Sequence, residues 1–162
     1  MKKLFTIVLA LTLAFSFTTV FAEDSITVLL DGEAIAFDVQ PQIINSRTMV
    51  PMRAIFTALG AQVEWVEEHR LIVATKDTSI IAMMIDAPVM HIGDLESNEQ
   101  KQVELDSPPV IVDSRTLVPV RAISDALGVN VDWDADTRTV LLYSENYVPE
   151  VNTGEVVDKN EK

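Results

Sequence analysis

Residues 46–55, SRTMVPMRAI, decide the fold of this chain, because they return as SRTLVPVRAI at residues 114–123. The offset is 68 positions, from Arg47 to Arg115, and the match continues without a gap through a Leu-Gly pair and a tryptophan in each copy. The positions that make up this repeat signature are Arg47, Pro51, Arg53, Gly60, Trp65, Arg115, Pro119, Arg121, Gly128 and Trp133. Such self-similarity predicts two halves of the same architecture.

Each copy predicts a short helix directly after an extended segment. Val50 precedes a proline and is therefore biased toward extended geometry. Pro51 suits the first helical position, because its missing N–H would be unpaired there. The apolar residues that follow form one helical stripe: Met52, Ile55, Phe56 and Leu59. Since Gly60 is a natural left-handed stop, the sequence predicts helices at residues 51–59 and 119–127, each too short to persist without a sheet beneath it.

The second helix differs from the first at one core position. Ser124 stands where the first helix has Phe56. We therefore expect the second helix to bury less apolar surface, although Val120, Ile123 and Leu127 should still point inward.

The other apolar segments show the alternation of β-strands. Residues 26–30 and 35–39 flank an Asp-Gly turn and predict a hairpin. Further strands are expected after each helix and in the middle of the chain, at residues 63–65, 70–75, 79–85, 89–92, 102–105, 131–133 and 138–143. The predicted fold class is α+β, with antiparallel sheet packed on two short helices and a pseudo-twofold internal repeat, repeat one at residues 26–77 and repeat two at residues 78–144.

The two ends of the chain are typical of a processed segment and a tail. Residues 1–22 combine two lysines, an apolar run and small residues at the end, which is the pattern of a secretory signal peptide. An uncleaved N-terminal anchor is the alternative. In either case we expect the domain at residues 23–144 to be secreted, extracellular or at the cell surface, with no membrane span after signal cleavage. Residues 145–162 are polar and acidic, and we expect a disordered tail there.

The composition excludes several classes of function. The 162 residues carry a formal net charge of −13, whereas binding to nucleic-acid phosphates needs clustered Lys and Arg. The chain has no cysteine, which excludes disulfides, thiolate metal sites and a cysteine nucleophile. We interpret the excess of acidic residues as a solvated surface.

The repeated stretch, followed in each copy by Leu-Gly and Val-x-Trp, resembles the copper amine oxidase N-terminal domain-like family, the "stalk" domain of many secreted and surface proteins of Gram-positive bacteria. The resemblance covers residues 26–143 and implies an antiparallel sheet curled around short helices. It implies no oxidase chemistry, because copper and the tyrosine-derived quinone of those enzymes lie in a separate catalytic domain. The sequence departs from the family at Ser46, Ser114 and Asp86, where glycine is common, and we expect only the turn geometry to change.

Candidate metal ligands are few. The chain has two histidines, His69 and His91, whereas copper of the amine oxidase type needs three imidazoles, so we expect neither a metal nor another cofactor. Asp132, Asp134 and Asp136 have the spacing that begins a calcium loop, but the glycine and glutamate that complete such a loop are missing. Alternate residues of a strand and turn give the same spacing without an ion, and we favour that interpretation.

Four arginines recur in the repeat: Arg47, Arg53, Arg115 and Arg121. One interpretation is a carboxylate- or glycan-binding pair. The other is that each guanidinium forks onto a nearby carboxylate or onto strand-end carbonyls and locks helix to sheet. We favour the structural interpretation, because a single ligand site rarely needs every copy. For Trp65 and Trp133 we likewise favour core positions over sugar-binding platforms.

These observations predict a secreted or cell-envelope-associated, non-catalytic module with a structural or binding role. The alternatives are an enzyme of unrecognised type, such as a cell-wall-directed hydrolase, and a secreted accessory or inhibitor protein. The sequence contains neither the Gly-x-Ser-x-Gly elbow of many hydrolases nor a phosphate-cradling glycine-rich loop. The expected partners are cell-wall or surface components or another protein, and not nucleic acid.

Overall fold

The computed structural model describes residues 25–148, which form short strands and two α-helices. The strands are β1 (Thr27–Leu30), β2 (Glu33–Ala34), β3 (Gln42–Ile44), β4 (Arg47–Pro51), β5 (Gln62–Val66), β6 (Leu71–Lys76), β7 (Ser79–Met84), β8 (Val89–Asp94), β9 (Gln100–Glu104), β10 (Val110–Val112), β11 (Arg115–Pro119), β12 (Asn130–Asp134) and β13 (Thr139–Tyr143). The helices are α1 (Met52–Ala58) and α2 (Val120–Ala126). A mostly antiparallel β-structure with two short helices agrees with the predicted α+β class.

The two repeated stretches meet at the centre of the fold. Strands β10, β11, β4 and β3 form an antiparallel sheet in that order. Across its middle, the paired residues are Val50 with Val118, Met49 with Pro119, and Pro51 with Leu117. Val50 and Val118 are equivalent positions of the repeat, and the other two pairs are equivalent to each other. The pairing of β4 with β11 is therefore unchanged when the two halves are interchanged. The pairing sets β4 beside β11, and each of these strands leads directly into a helix.

Two further sheets complete the described fold, with strand orders β12-β13-β1-β2 and β5-β6-β7-β8-β9. The pair of β1 and β13 is parallel, from Thr27 beside Thr139 to Leu30 beside Leu142. The expectation of purely antiparallel sheet is wrong at this pair. Strand β6 turns back into β7, whereas the corresponding strand β13 has no following strand among the described residues. The edge of β13 is paired instead with β1, which lies near the other end of the described residues.

The first hairpin is shorter than the sequence predicts. Its Asp-Gly turn has positive φ at both positions, 51° and 84°, but the return strand is only Glu33–Ala34 and not residues 35–39. Ile35 and Phe37 are half-buried against the core. The alternation that predicted a strand therefore reflects packing of these side chains and not a continued ladder.

The three positions at which the sequence departs from the family pattern all have left-handed backbone. The φ angle is 60° at Ser46 and Ser114 and 63° at Asp86. Glycine enters this region without the steric cost that a Cβ imposes. The turns therefore have the conformation that favours glycine, and serine and aspartate hold it with some strain.

Both helices begin one residue later than predicted. Pro51 and Pro119 have extended ψ angles, 121° and 115°, and serve as N-caps. Each of them still pairs in the central sheet, so the proline ends a strand and does not start a helix. At the other end, the φ angles of Gly60 and Gly128 are 77° and 70°, which confirms the predicted left-handed stops.

The core confirms the predicted stripe of α1. Its members are 7%, 0%, 0% and 5% exposed: Met52, Ile55, Phe56 and Leu59. In α2, Val120 and Ile123 are buried as predicted, but Leu127 is only partly buried, although Leu59, which is the C-cap of α1 as Leu127 is of α2, is 5% exposed. Ser124 is fully buried, and its Oγ has no hydrogen-bond partner among residues 25–148.

The predicted signal peptide, residues 1–22, lies outside the described residues, as does most of the predicted tail, residues 145–162. The described beginning of that tail is attached to the last strand. The ring of Tyr147 stacks on that of Tyr143, with centroids 5.7 Å apart and planes 15° apart. Within the described part of the chain, no helix has the length and apolar character needed to span a membrane.

Candidate functional site

Two grooves are lined by equivalent residues of the two halves, and we name them by their tryptophans. The Trp65 groove has a volume of about 950 Å³ and is lined in part by Pro51, Arg53, Trp65, Ile111, Arg115 and Thr116. The Trp133 groove has a volume of about 260 Å³, and the corresponding residues are Pro119, Arg121, Trp133, Ile43, Arg47 and Thr48. Each groove therefore contains residues of both halves. Four positions of the repeat signature line each groove, eight in total. The remaining two, Gly60 and Gly128, end the helices.

One arginine in each groove is paired with a carboxylate from the other half. Arg47 donates from Nε to Oδ2 of Asp106 over 2.8 Å and from Nη1 to the carbonyl of Ser46 over 3.1 Å. In the reciprocal pair, Arg115 donates from Nε to Oδ2 of Asp38 over 2.5 Å, and this hydrogen bond holds the pKa of the Asp38 carboxyl below its ordinary value.

The exchange of partners follows the internal symmetry. Asp38 and Asp106 are themselves 68 positions apart, so each half supplies the carboxylate for the arginine of the other. The arginine side chains are 44% and 51% exposed, and exposed ion pairs add little to stability. The pairs therefore serve mainly to fix the orientation of each guanidinium at the entrance of a strand. This is a fork between a carboxylate and a strand-end carbonyl, and it joins one half to the other and not helix to sheet.

The second arginine of each groove has no such partner. Arg53 and Arg121 lie in the first turns of α1 and α2 and are exposed. Within residues 25–148, neither has a carboxylate within 4.0 Å, whereas the other two arginines do. Each groove thus combines one neutralised guanidinium with one whose donors face solvent.

The tryptophans form one wall of each groove. Trp65 lies on β5 and Trp133 on β12, and both are partly buried against the core. The indole N–H of Trp65 donates to a carboxylate oxygen of Glu67, which also lines the groove. Both side chains therefore contribute to the core while part of each ring stays in contact with the groove.

A model of the copper amine oxidase N-terminal domain family matches residues 29–142. The chain belongs to this family. A search of curated proteins gave no match. The matched family is a non-catalytic, N-terminal domain of copper amine oxidases, and the match spans both halves and both grooves.

Copper does not fit the residues that this family member presents. His69 lies in a short 3₁₀ helix, Glu67–His69, and His91 lies on β8, and both are exposed and outside the groove linings. Among residues 25–148, no group of three or more His, Cys, Asp or Glu side chains could hold a metal ion. Neither groove thus contains the imidazoles that a copper site or a histidine-dependent hydrolase requires.

The middle aspartate of the run Asp132, Asp134 and Asp136 caps a turn. Oδ1 of Asp134 accepts from the backbone N–H of Asp136 over 2.9 Å and of Thr137 over 3.3 Å, and hydrogen bonding from Thr137 holds the pKa of Asp134 below its ordinary value. The Asp132, Asp134 and Asp136 spacing is therefore that of a strand followed by a capped turn. The same arrangement recurs at Asp94, where hydrogen bonds from Ser97 and from the hydroxyl of Thr78 lower the pKa to about 2.

Two features of the grooves were not predicted from the sequence. Asp38 and Asp106 occupy equivalent positions of the repeat, and this equivalence is the signal that could have identified them as partners of the repeated arginines. Ile43 and Ile111 are likewise equivalent, and they remain 50% and 47% exposed. Ile43 lines the Trp133 groove and Ile111 the Trp65 groove, so each groove has an exposed apolar residue beside its arginines and tryptophan.

Proposed function

We propose that the protein is a secreted or cell-envelope-associated module that acts by binding or by structural support and not by catalysis. The observation that carries this proposal is the pair of grooves, which bring arginine, tryptophan and exposed isoleucine together without a histidine. Membership of a non-catalytic domain family supports it. No contact within residues 25–148 favours the alternative of a cell-wall-directed hydrolase, and an accessory or inhibitor protein would be one form of the binding role.

Binding is tested by mixing the purified chain, residues 23–162, with purified cell envelopes of its source cell and measuring co-sedimentation. We expect saturable retention that unlabelled protein displaces. Retention that does not saturate would contradict binding to the envelope. If the protein also binds no component of the culture supernatant, the binding role is wrong.

The absence of catalysis is tested separately by metal analysis after dialysis and by peroxide release from simple amines. One tightly held copper ion per chain with turnover of an amine would overturn the proposal. Background metal and no peroxide are the expected results.

The location is part of the same proposal and rests on the N-terminal pattern of residues 1–22. Mass spectrometry of the protein recovered from the culture medium and from the envelope should show a mature N-terminus at Glu23. Recovery of the full-length chain from the cytoplasm would contradict export.

We also propose that residues 26–77 and 78–144 are two tandem copies of one structural repeat. The 68-residue offset, the matching elements and the self-consistent register of β4 with β11 support this. The double substitution Leu117→Met and Val120→Met converts the second repeated stretch into the first. If the halves are equivalent, this variant should keep one cooperative unfolding transition, and loss of folding would argue against equivalence.

A further inference from the structure

The two grooves differ in size although they share their residues. The Trp65 groove, at about 950 Å³, is within the range of about 300–1,000 Å³ that is typical of ligand sites, whereas the Trp133 groove, at about 260 Å³, is below it. Of the two grooves, the Trp65 groove is therefore the one with room for an extended segment of several residues.

Two edge strands contribute residues to the Trp65 groove. Ile111 belongs to β10, an edge strand of the central sheet, and Trp65 belongs to β5, an edge strand of the five-stranded sheet. An edge strand has backbone donors and acceptors without a partner strand, and an extended peptide can pair with them. The exposed side chain of Ile111 offers an apolar contact beside that edge.

The charges that line the groove balance, with Arg53 and Arg115 against Asp38 and Glu67, but they are not all paired. Arg115 is neutralised by Asp38, and Glu67 accepts the indole N–H of Trp65. Arg53 has no carboxylate within 4.0 Å among residues 25–148 and lines the same groove. A ligand carboxylate at this point gives Arg53 the kind of charge-assisted partner that Arg115 already has in Asp38.

We propose that the Trp65 groove binds an extended peptide segment that carries one carboxylate side chain, held by Arg53, between apolar side chains. This inference rests on the proposed binding role. A single carboxylate is specified, because the chain carries a net charge of −13 and further anionic groups would meet repulsion. Alternate residues of an extended segment point to the same side, so apolar neighbours two positions away can contact Ile111 and Trp65. A saccharide would use the tryptophan but leave the isoleucine and the strand edge unused.

The test uses the tryptophans as separate reporters, since the chain has two and each lines one groove. In a Trp133→Phe variant of the secreted chain, the fluorescence of Trp65 is titrated with the blocked peptide Val-Thr-Val-Glu-Val-Thr-Val at physiological ionic strength. The same peptide with glutamine in place of glutamate is the matched ligand. We expect the glutamate peptide to bind about tenfold more tightly, the size typical of a charge-assisted hydrogen bond.

Substitution of the arginine completes a double-mutant cycle. Arg53→Gln should lower the affinity for the glutamate peptide about tenfold and abolish the preference over glutamine. Arg70→Gln removes the same charge outside the groove and should keep the preference. Because Arg53 is exposed and makes no ion pair with the described residues, Arg53→Gln should unfold at the same temperature as the parent chain. Arg70→Gln removes an exposed ion pair with Asp86, 3.3 Å long, and should lower the unfolding temperature only slightly.

Several results would overturn the inference. They are a preference for glutamate that survives Arg53→Gln, a response of Trp133 instead of Trp65 in the matching Trp65→Phe variant, and no binding of either peptide. An Arg53-dependent response to trigalacturonate without a response to peptide would assign the groove to an acidic saccharide and also overturn it. An Arg53→Gln chain that still co-sediments with envelopes would leave the proposed function standing, so the two failures are distinguishable.

Discussion

Phe56→Ala should destabilise the protein far more than Ser124→Ala, the substitution at the equivalent position of the other half. Phe56 is fully buried in the core. An aromatic side chain buries roughly 150–250 Å², which at about 25 cal/mol per Å² corresponds to about 4–6 kcal/mol. The alanine retains part of this burial, so we expect a loss of about 3–5 kcal/mol, the range seen for large-to-small changes in cores.

The matched control is Ser124→Ala, at the position that corresponds to Phe56 in the repeat. Ser124 is as fully buried as Phe56, but its Oγ has no partner among the described residues. Removing a buried, unpaired hydroxyl relieves a desolvation penalty. We therefore expect Ser124→Ala to range from neutral to about 1 kcal/mol more stable than the parent chain.

Urea unfolding monitored by tryptophan fluorescence measures both variants. The midpoint should fall sharply for Phe56→Ala at an unchanged denaturant slope, because an unchanged slope shows that the same surface is exposed on unfolding. Equal shifts for the two variants, or a large loss for Ser124→Ala alone, would refute the assignment of these side chains to the core.

Three further predictions follow from burial, charge and topology. Leu59→Ala should cost roughly 2–5 kcal/mol and Leu127→Ala distinctly less in the same urea assay, because Leu59 is 5% exposed while Leu127 is only partly buried; equal losses would contradict this. The pKa of Asp94 is lowered from 3.8 to about 2, so the stabilising hydrogen bonds to its carboxylate are fully present above about pH 4 and are lost as the pH falls toward 2. The urea midpoint of the parent chain should therefore fall in this window, and it should fall less in the Asp94→Asn variant. The fragment of residues 23–77 should give neither a sharp unfolding transition nor dispersed amide signals, because β4 loses its partner β11.

Local features of the fold could be predicted from the sequence because their causes are local. The stripe of α1 follows from helical periodicity, and the stops at Gly60 and Gly128 follow from the freedom of glycine at positive φ. The start of each helix could not be placed as well. Propensity allows proline at the first helical position, but Pro51 is held extended by its pairing with Leu117, and that contact is invisible in a local window.

Features that depend on distant contacts were beyond the sequence. The parallel pairing of β1 with β13 joins the two ends of the described chain, and no local pattern specifies it. The partners of Arg47 and Arg115 lie 59 and 77 residues away. For the candidate site, the repeat identified the arginines and tryptophans as members of one signature, but only the three-dimensional arrangement shows that residues of both halves combine in each groove.

The exchange of contacts between the halves ties the proposed site to the folding of the whole domain. The Trp65 groove takes Arg53 and Trp65 from the first half and Ile111 and Arg115 from the second. These two sets are held together by the pairing of β4 with β11 and by the ion pair of Arg115 with Asp38. A half that folded alone would present only one side of the groove. Binding at this site and cooperative folding of the two halves should therefore be lost together, and a ligand of the groove should raise the unfolding temperature of the entire domain.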